Sequence, residues 1–331
     1  MTKTTASEIA VADIGGTNAR FARASMDKGG AIALSEPTVL ATGEFPRFAD
    51  AWRAFLAQQP GFNPRGASLA LAGPASRGRF KLTNADWEFD AADLSQEMDL
   101  PRVTLLNDFE AIAHAVAGLS GEEYLDHIAG PKQPLPQDET ITIIGPGTGL
   151  GIAHFRRHRG EAIIQATEGS HIGFAPVNEI DDRMLAALRK VHDRVSLERV
   201  ISGEGIAHIY AAICSVEGQS APAGRDPLSI WQSGMRGDEP LTERAVAHFV
   251  KTLGRVTGDY ALAHGSGGIV MAGGVGLRLR GHLKAPEFHQ AFVNKGRYRA
   301  MMEAIPIKLI THPQPGMLGA ASAYFANDQL G

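Results

Sequence analysis

The chain has 331 residues, 44% hydrophobic and 21% charged, with a formal net charge of -4. That length suits two domains of ordinary size, and that composition suits a soluble protein with a real core. The small charge carries neither the basic excess of a nucleic-acid binder nor the acidic tail of a disordered chain.

Cys214 is the single cysteine, so an internal disulfide and a Cys-based zinc cluster are ruled out. A lone thiol fits a reducing cytosol, and a cytoplasmic protein is expected. The polar opening, with Asp13 breaking the first apolar run, does not read as a signal peptide. With no run of eighteen apolar residues, no membrane helix is expected.

Residues 9–12 read as a short buried strand, and Asp13-Ile14-Gly15-Gly16-Thr17-Asn18 turns the chain into a second strand at 19–24. Adjacent glycines let the turn close tightly and bring N–H groups near an anion. Thr17 and Asn18 add donors, and Asp13 can hold Mg2+ directly or through water. The turn reads equally as an ordinary hairpin rich in Gly and Asn.

Runs at 67–71 and 103–106 have strand character. Asn107-Asp108 then precedes a helical pattern at 109–116, with apolar Ile112, Val116 and Leu119. Either residue suits an N-cap. The pair also lies at a strand's C-terminal end, where α/β folds bind ligands and a helix N-terminus favours a carboxylate. A charged Asp108 can accept a hydroxyl proton as that oxygen attacks a γ-phosphate, and Asn107 can bind a neighbouring hydroxyl.

Residues 131–138 hold three prolines and read as a loop. Then the opening pattern returns: strand at 141–144, turn at Gly145-Pro146-Gly147-Thr148-Gly149, and strand from Leu150 to 155. The spacing lacks the two-residue gap of G-x-G-x-x-G. Singly, this is a tight hairpin; two such turns can grip one polyphosphate from opposite sides. Their separation exceeds solenoid periods and suggests two similar lobes. Arg156, Arg157, His158 and Arg159 read as a solvated turn.

Glu168 and His171 stand three apart and share a face on a helical turn. Residues 184–213 read as mostly helical, with Glu198 inside them. Each of the three reads singly as a surface residue. With Asn and Asp they supply the donors and acceptors a ring of sugar hydroxyls needs. Residues 217–227 read as a loop, 241–262 as helix, 269–272 as a buried strand and 317–325 as a closing helix. Gly273-Gly274 offers a third close backbone approach, or a plain strand-to-helix turn. Alternating strands and helices make the class α/β. The sequence has no Walker-A loop, no nucleophile elbow and no zinc helix.

In this order the motifs resemble those of the bacterial glucokinase family of the actin–hexokinase–Hsp70 superfold. Residues Asp13 to Arg20 resemble its first phosphate motif. Thr83-Asn84-Ala85-Asp86-Trp87 resembles its T-N-x-x-W segment, and Leu106 to Ala111 its catalytic segment. Gly145 to Gly151 resembles the second phosphate motif. Glu168-Gly169-Ser170-His171, with Phe174-Ala175-Pro176, resembles the sugar-binding stretch. Glu198 to Gly203, Met271 to Val275 and Pro315 to Ala320 complete the series.

The resemblance implies a two-lobed actin-like ATPase (ribonuclease H-like) fold with an interlobe cleft. The small lobe would hold residues 1–110 and the C-terminal 315–331, and the large lobe 111–314. It implies transfer of the ATP γ-phosphate to the glucose 6-hydroxyl, with Mg2+, in a homodimer. Asp108 would be the base, and Asn107, Asp108, Glu168, His171 and Glu198 would bind glucose. Ala12, Asp13, Ile14, Gly15, Gly16, Thr17, Asn18, Gly147, Thr148, Gly273 and Gly274 would hold ATP, with Asp13 attending Mg2+.

Ser170 stands where the family usually has the second glycine of E-G-G-H, and a left-handed backbone there would be strained. One alternative is a kinase for fructose, mannose or an amino sugar. Another is a non-catalytic sugar-responsive regulator. Such relatives carry an N-terminal DNA-binding segment, and a first strand near residue 9 leaves it no room. A related sugar-kinase group with a Cys-rich zinc motif is incompatible with one cysteine.

Overall fold

The computed structural model describes residues 8–73, 79–82, 87–119 and 121–328. Residues 83–86 of the T-N-x-x-W segment lie outside them. The chain divides into two compact units: residues 1–121, 164–166 and 312–331, and residues 122–163 and 167–311.

In the first unit, β1 (Glu8–Ile14) and β2 (Asn18–Met26) form the expected hairpin, with Ile14 opposite Ala19. Two short strands, β3 (Ile32–Leu34) and β4 (Thr38–Ala41), pair with β2. Helix α1 (Phe48–Ala57) leads to β5 (Ala67–Leu71), which lies parallel to β1. A small ribbon of β6 (Arg79–Lys81) and β7 (Glu88–Asp90) and helix α2 (Ala91–Glu97) follow. Then β8 (Val103–Asn107) pairs parallel with β5 and runs straight into α3 (Asp108–Gly118).

β1 is buried on both faces, which is why it reads as a continuous apolar run rather than an alternating one. Ala10, Ala12 and Ile14 pack with Phe21, Phe48, Trp52 and Phe55, whereas Ile9 and Val11 pack with residues near the C-terminus. Phe21 and Phe55 stack at 5.1 Å.

The second sheet has the order β12-β11-β10-β13-β14-β9. Its strands are β9 (Leu125–Ala129), β10 (Thr140–Pro146), β11 (Leu150–His158), β12 (Glu161–Thr167), β13 (Ser266–Met271) and β14 (Ile307–Ile310). Before β13 come helices α4 (Glu179–Leu188), α5 (Gly205–Val216), α6 (Pro227–Arg236) and the long α7 (Pro240–His264). After it come α8 (Gly274–Arg278), α9 (Arg280–Leu283), α10 (Pro286–Val293) and α11 (Arg299–Glu303). β10 and β11 repeat the β1–β2 hairpin, and β13 and β14 run parallel to β10 as β5 and β8 do to β1.

The helical reading of 184–213 is broken: an irregular stretch at 189–204 separates α4 from α5. It contains one isolated α-turn, closed by Ile201 N donating to Leu197 O at 2.8 Å. The loop read at 217–227 ends in α6, which opens on Pro227 with Asp226 as its N-cap, a favourable start.

The main divisions between the units fall at 121/122 and 311/312. The reason is α3, which packs on the closing helix α12 (Pro315–Asp328). Gly319 touches the α3 backbone: an added Cβ would lie 1.6 Å from Ala111 O. We therefore expect Gly319→Ala to lower unfolding free energy by about 1–3 kcal/mol, the cost of overpacking. Urea denaturation of the variant and the parent checks it.

The second unit also holds a half-buried histidine, His264. His264 Nδ1 shares a hydrogen bond with Thr142 Oγ1 at 2.8 Å, and the His154 ring lies 4.3 Å away. Burial, then the nearby His154, pulls the His264 pKa down to about 4. An unfolded histidine takes up its proton near about 6.5. The unfolded state thus binds more protons between these values, and stability is lost as pH falls from about 6.5 toward 4. Urea midpoints at pH 7 and pH 5 are expected to show the fall, and His264→Gln is expected to reduce it.

Candidate functional site

In the first unit the site lies at the C-terminal ends of three parallel strands. Ile14, Leu71 and Asn107 stand in register across β1, β5 and β8. This puts the β1–β2 turn and the Asn107–Asp108 pair on one sheet edge, where α/β folds bind ligands. Ala12, Asp13 and Ile14 close β1, Gly15, Gly16 and Thr17 make the turn, and Asn18 opens β2. Gly15 N donates to Asn18 O at 2.9 Å. Thr42 pins the turn from beside β4: its Oγ1 donates to Gly16 O at 2.7 Å, and its N–H to Thr17 O at 3.0 Å.

Burial pushes the Asp13 carboxyl above its ordinary pKa, while the Arg20 guanidinium pulls it back. Arg20 Nη1 stands 3.9 Å from Asp13 Oδ2. Among the described residues, Arg20 only partly offsets the burial of that charge.

Asn107 takes the capping role. Its Oδ1 accepts from Phe109 N at 2.9 Å and Glu110 N at 3.3 Å, and Glu110 Oε2 accepts from Asn107 N at 3.2 Å. This is a capping box, two donors satisfied reciprocally. Burial raises the Glu110 pKa, and the bond from Asn107 N lowers it. The Asn107 side-chain amide also donates to Gly73 O at 3.1 Å. Asp108 therefore starts the helix beside a residue that already caps it. Its Oδ1 also accepts Phe109 N, at 2.8 Å.

In the second unit two backbones meet where β10 and β13 end. An added Cβ on Gly145 would lie 2.3 Å from Ala272 O. Gly273, with φ of +81°, has Pro146 O at 2.5 Å from that position. Gly147 N donates to Gly149 O and Gly203 N to Gly147 O, each at 2.8 Å, with Thr148 at the tip. Trp231 Nε1 secures the Gly203 carbonyl at 2.8 Å. Gly274 opens α8.

Glu168 caps, and His171 closes, a single 3-10 turn (Gly169–His171). Glu168 Oε2 and His171 Nε2 stand 3.8 Å apart, with 57% and 56% of their side chains exposed, so both are open to a ligand. Glu198 joins them from the irregular stretch. Its N–H donates to Ser170 O at 3.1 Å, and its Oε2 accepts from Leu150 N at 3.1 Å. Ser170 is buried, and its φ is not positive, so the strain expected of a glycine position is absent.

From below, Tyr260 on α7 donates its hydroxyl to Gly169 O at 2.5 Å. Burial, then Asp259, pushes the Tyr260 pKa up to about 12, so the hydroxyl keeps its proton. The first unit thus gathers Asp13, the first turn, Asn107 and Asp108. The second gathers Gly147, Thr148, Gly273, Gly274, Glu168, His171 and Glu198. Thr42, Trp231 and Tyr260 support these parts but carry no motif; Tyr260 reads as core within a long helical pattern.

The duplicated hairpin with two parallel strands places the chain in the actin–hexokinase–Hsp70 superfold. The glucokinase family model matches residues 10–327. The glucokinase of Zymomonas mobilis is 46% identical over 317 residues, covering 96% of this chain and 97% of its own length. The crystal structure of a glucokinase from an Antarctic psychrotroph superposes with a TM-score of 0.85 at 33% identity, covering 97% of this chain and 99% of that one. The glucokinase of Balamuthia mandrillaris, solved in complex with glucose, has the same fold at TM-score 0.80 and 21% identity, covering 99% of this chain and 95% of that one. The chain belongs to the glucokinase family.

The Tyr260 bond is testable without any ligand. Losing one such bond is worth about 1 kcal/mol, so Tyr260→Phe is expected to speed amide exchange at His171 and Ile172 about fivefold. Hydrogen-exchange mass spectrometry checks it, with α10 as the unaffected reference.

Proposed function

We propose that this protein transfers the γ-phosphate of ATP to the 6-hydroxyl of glucose, releasing ADP and glucose 6-phosphate. Membership of the glucokinase family supports the reaction. The observation that carries the assignment of residues is the cluster in the second unit. There sugar-type side chains and a phosphate-type turn share Glu198. Glu168, His171 and Glu198 bind the sugar hydroxyls, with Asn107 and Asp108. Exposed carboxylates accept from hydroxyls, and the imidazole donates or accepts, which fits a ring bearing both capacities.

Asp108 takes the proton of the 6-hydroxyl as O6 bonds to the γ-phosphorus and the bond to the β,γ-bridging oxygen breaks. Its ionised state is favoured by its helix N-terminus. The glycine turns hold the phosphates through main-chain N–H groups, which add donors without bulk. These are residues 12–18, Gly147, Thr148, Gly273 and Gly274.

Asp13 fits Mg2+. It is a hard oxygen donor whose burial leaves its charge wanting a partner. The space beside it is kept clear by Gly316, where a Cβ would lie 3.3 Å from Asp13 Cγ. Among the described residues no group of three or more His, Cys, Asp or Glu could hold a metal. A single carboxylate supplemented by phosphate oxygens is the usual Mg2+ arrangement. When bound, Mg2+ supplies positive charge that offsets the transferred phosphoryl group.

Ser170 sits without backbone strain, so its presence gives no reason to depart from glucose. A lone buried Cys214 supports a reducing cytosol as the compartment. No described helix is long and apolar enough to cross a membrane. A homodimer rests on the family resemblance, and light scattering decides it.

A positioned base is typically worth about 10²–10⁴-fold, so Asp108→Ala is expected to lose at least about 10²-fold in kcat with its melting curve intact. Coupled ADP-release kinetics check it, and near-normal turnover would reject Asp108 as base. The same assay on a hexose panel is expected to give glucose the highest kcat/KM.

A further inference from the structure

The turn between β10 and β11 lies in the phosphate motif, yet part of it faces a carboxylate. A Cβ on Gly149 would fall 2.4 Å from Glu198 Oε2 and 3.1 Å from Glu198 Cδ. The next N–H, that of Leu150, donates to the same Oε2 at 3.1 Å. An N–H already engaged by a carboxylate is a poor seat for a phosphate, because the two anions would repel. The glycine and the N–H therefore serve Glu198.

Glu198 is held at two points. Its main-chain N–H is tied to Ser170 O, in the turn that carries Glu168 and His171. Its Oε2 is tied to the β10–β11 turn, which is braced in turn by Gly147 N on Gly149 O and Gly203 N on Gly147 O. Among the described residues nothing binds the second carboxylate oxygen, Oε1, which leaves it for a sugar hydroxyl. Because Leu150 N holds that oxygen, any displacement of the turn would carry the Glu198 carboxylate with it.

We infer that Gly149 and the Leu150 N–H are positioning elements for the sugar rather than for the phosphate. Through Glu198 they couple occupancy of the nucleotide turn to affinity for glucose. The inference rests on the reading of Glu198 as a sugar-binding residue. Coupling of this kind is reciprocal: whatever factor nucleotide adds to glucose affinity, glucose adds to nucleotide affinity.

Gly149→Ala is the direct test. Gly149 does not have a positive φ, and the obstructed atoms are the end of a flexible side chain, so the variant folds with Glu198 displaced. Isothermal titration with glucose is expected to show a Kd raised about tenfold or more, the loss of one charge-assisted hydrogen bond. The Kd of a non-hydrolysable ATP analogue, measured without glucose, is expected to change less than about twofold. The factor by which that analogue improves glucose binding falls toward one.

On a Glu198→Ala background, Gly149→Ala is expected to cause no further loss of glucose affinity, since both changes act through one group. Equal losses on the two backgrounds would overturn the inference. So would a Gly149→Ala variant that weakens the analogue and binds glucose normally. If Glu198→Ala weakens glucose and Gly149→Ala does not, the inference fails while the sugar role of Glu198 stands. If Glu198→Ala binds glucose normally, that role fails and the inference with it.

Discussion

The cluster of candidate residues in the second unit depends on two backbones being closer than any side chain allows. Gly145 meets Ala272 O, and Gly273 meets Pro146 O, so β10 and β13 end against each other. Four main-chain segments then converge: the β10–β11 turn, the start of α8, Gly203 and, through Glu198, the turn at Glu168–His171. Bulk at 145 or 273 would force a backbone to move, because the obstructing atoms are main-chain. The charge-bearing residues contribute only because this arrangement fixes the surfaces around them.

The first unit uses a different device for the same end. β1, β5 and β8 stop level with one another, which puts the turn after β1 and the Asn107–Asp108 pair at the end of β8 on one edge. Asn107 accepts from Phe109 N and Glu110 N at the start of α3, and Asp108 shares the bond from Phe109 N. Asp13 is held where burial raises its pKa, a state that cationic charge would relieve. The two hairpins share a topology but differ in setting: the first ends in Asp13 and its glycine turn, and the second carries a turn tied to Glu198.

Much of this was legible in sequence because it is local. Both glycine turns, the strands before them and the capping potential of Asn107-Asp108 are set by residues a few positions apart. The irregular stretch carrying Glu198 was misread as helix for a physical reason. Leu197, Val200 and Ile201 are buried at helical spacing, and they do make one α-turn, but no second turn follows. The place of α3 was unreadable, since its packing against Gly319 joins residues about two hundred positions apart. Tyr260 was hidden likewise: inside α7 its hydroxyl looks like part of a core face, and only the fold brings it to Gly169 O. The unstrained backbone at Ser170 also had to be observed, because a glycine in a family motif does not by itself mean a positive φ.

The central claim is that the carboxylate at position 108 receives the proton of the attacking hydroxyl. A crystal structure with glucose and a non-hydrolysable ATP analogue tests it most directly. The account predicts glucose O6 within about 2.6–3.2 Å of an Asp108 carboxylate oxygen, with O6 facing the γ-phosphorus. Glucose bound with O6 turned away from Asp108, or with another side chain in that position, would contradict it.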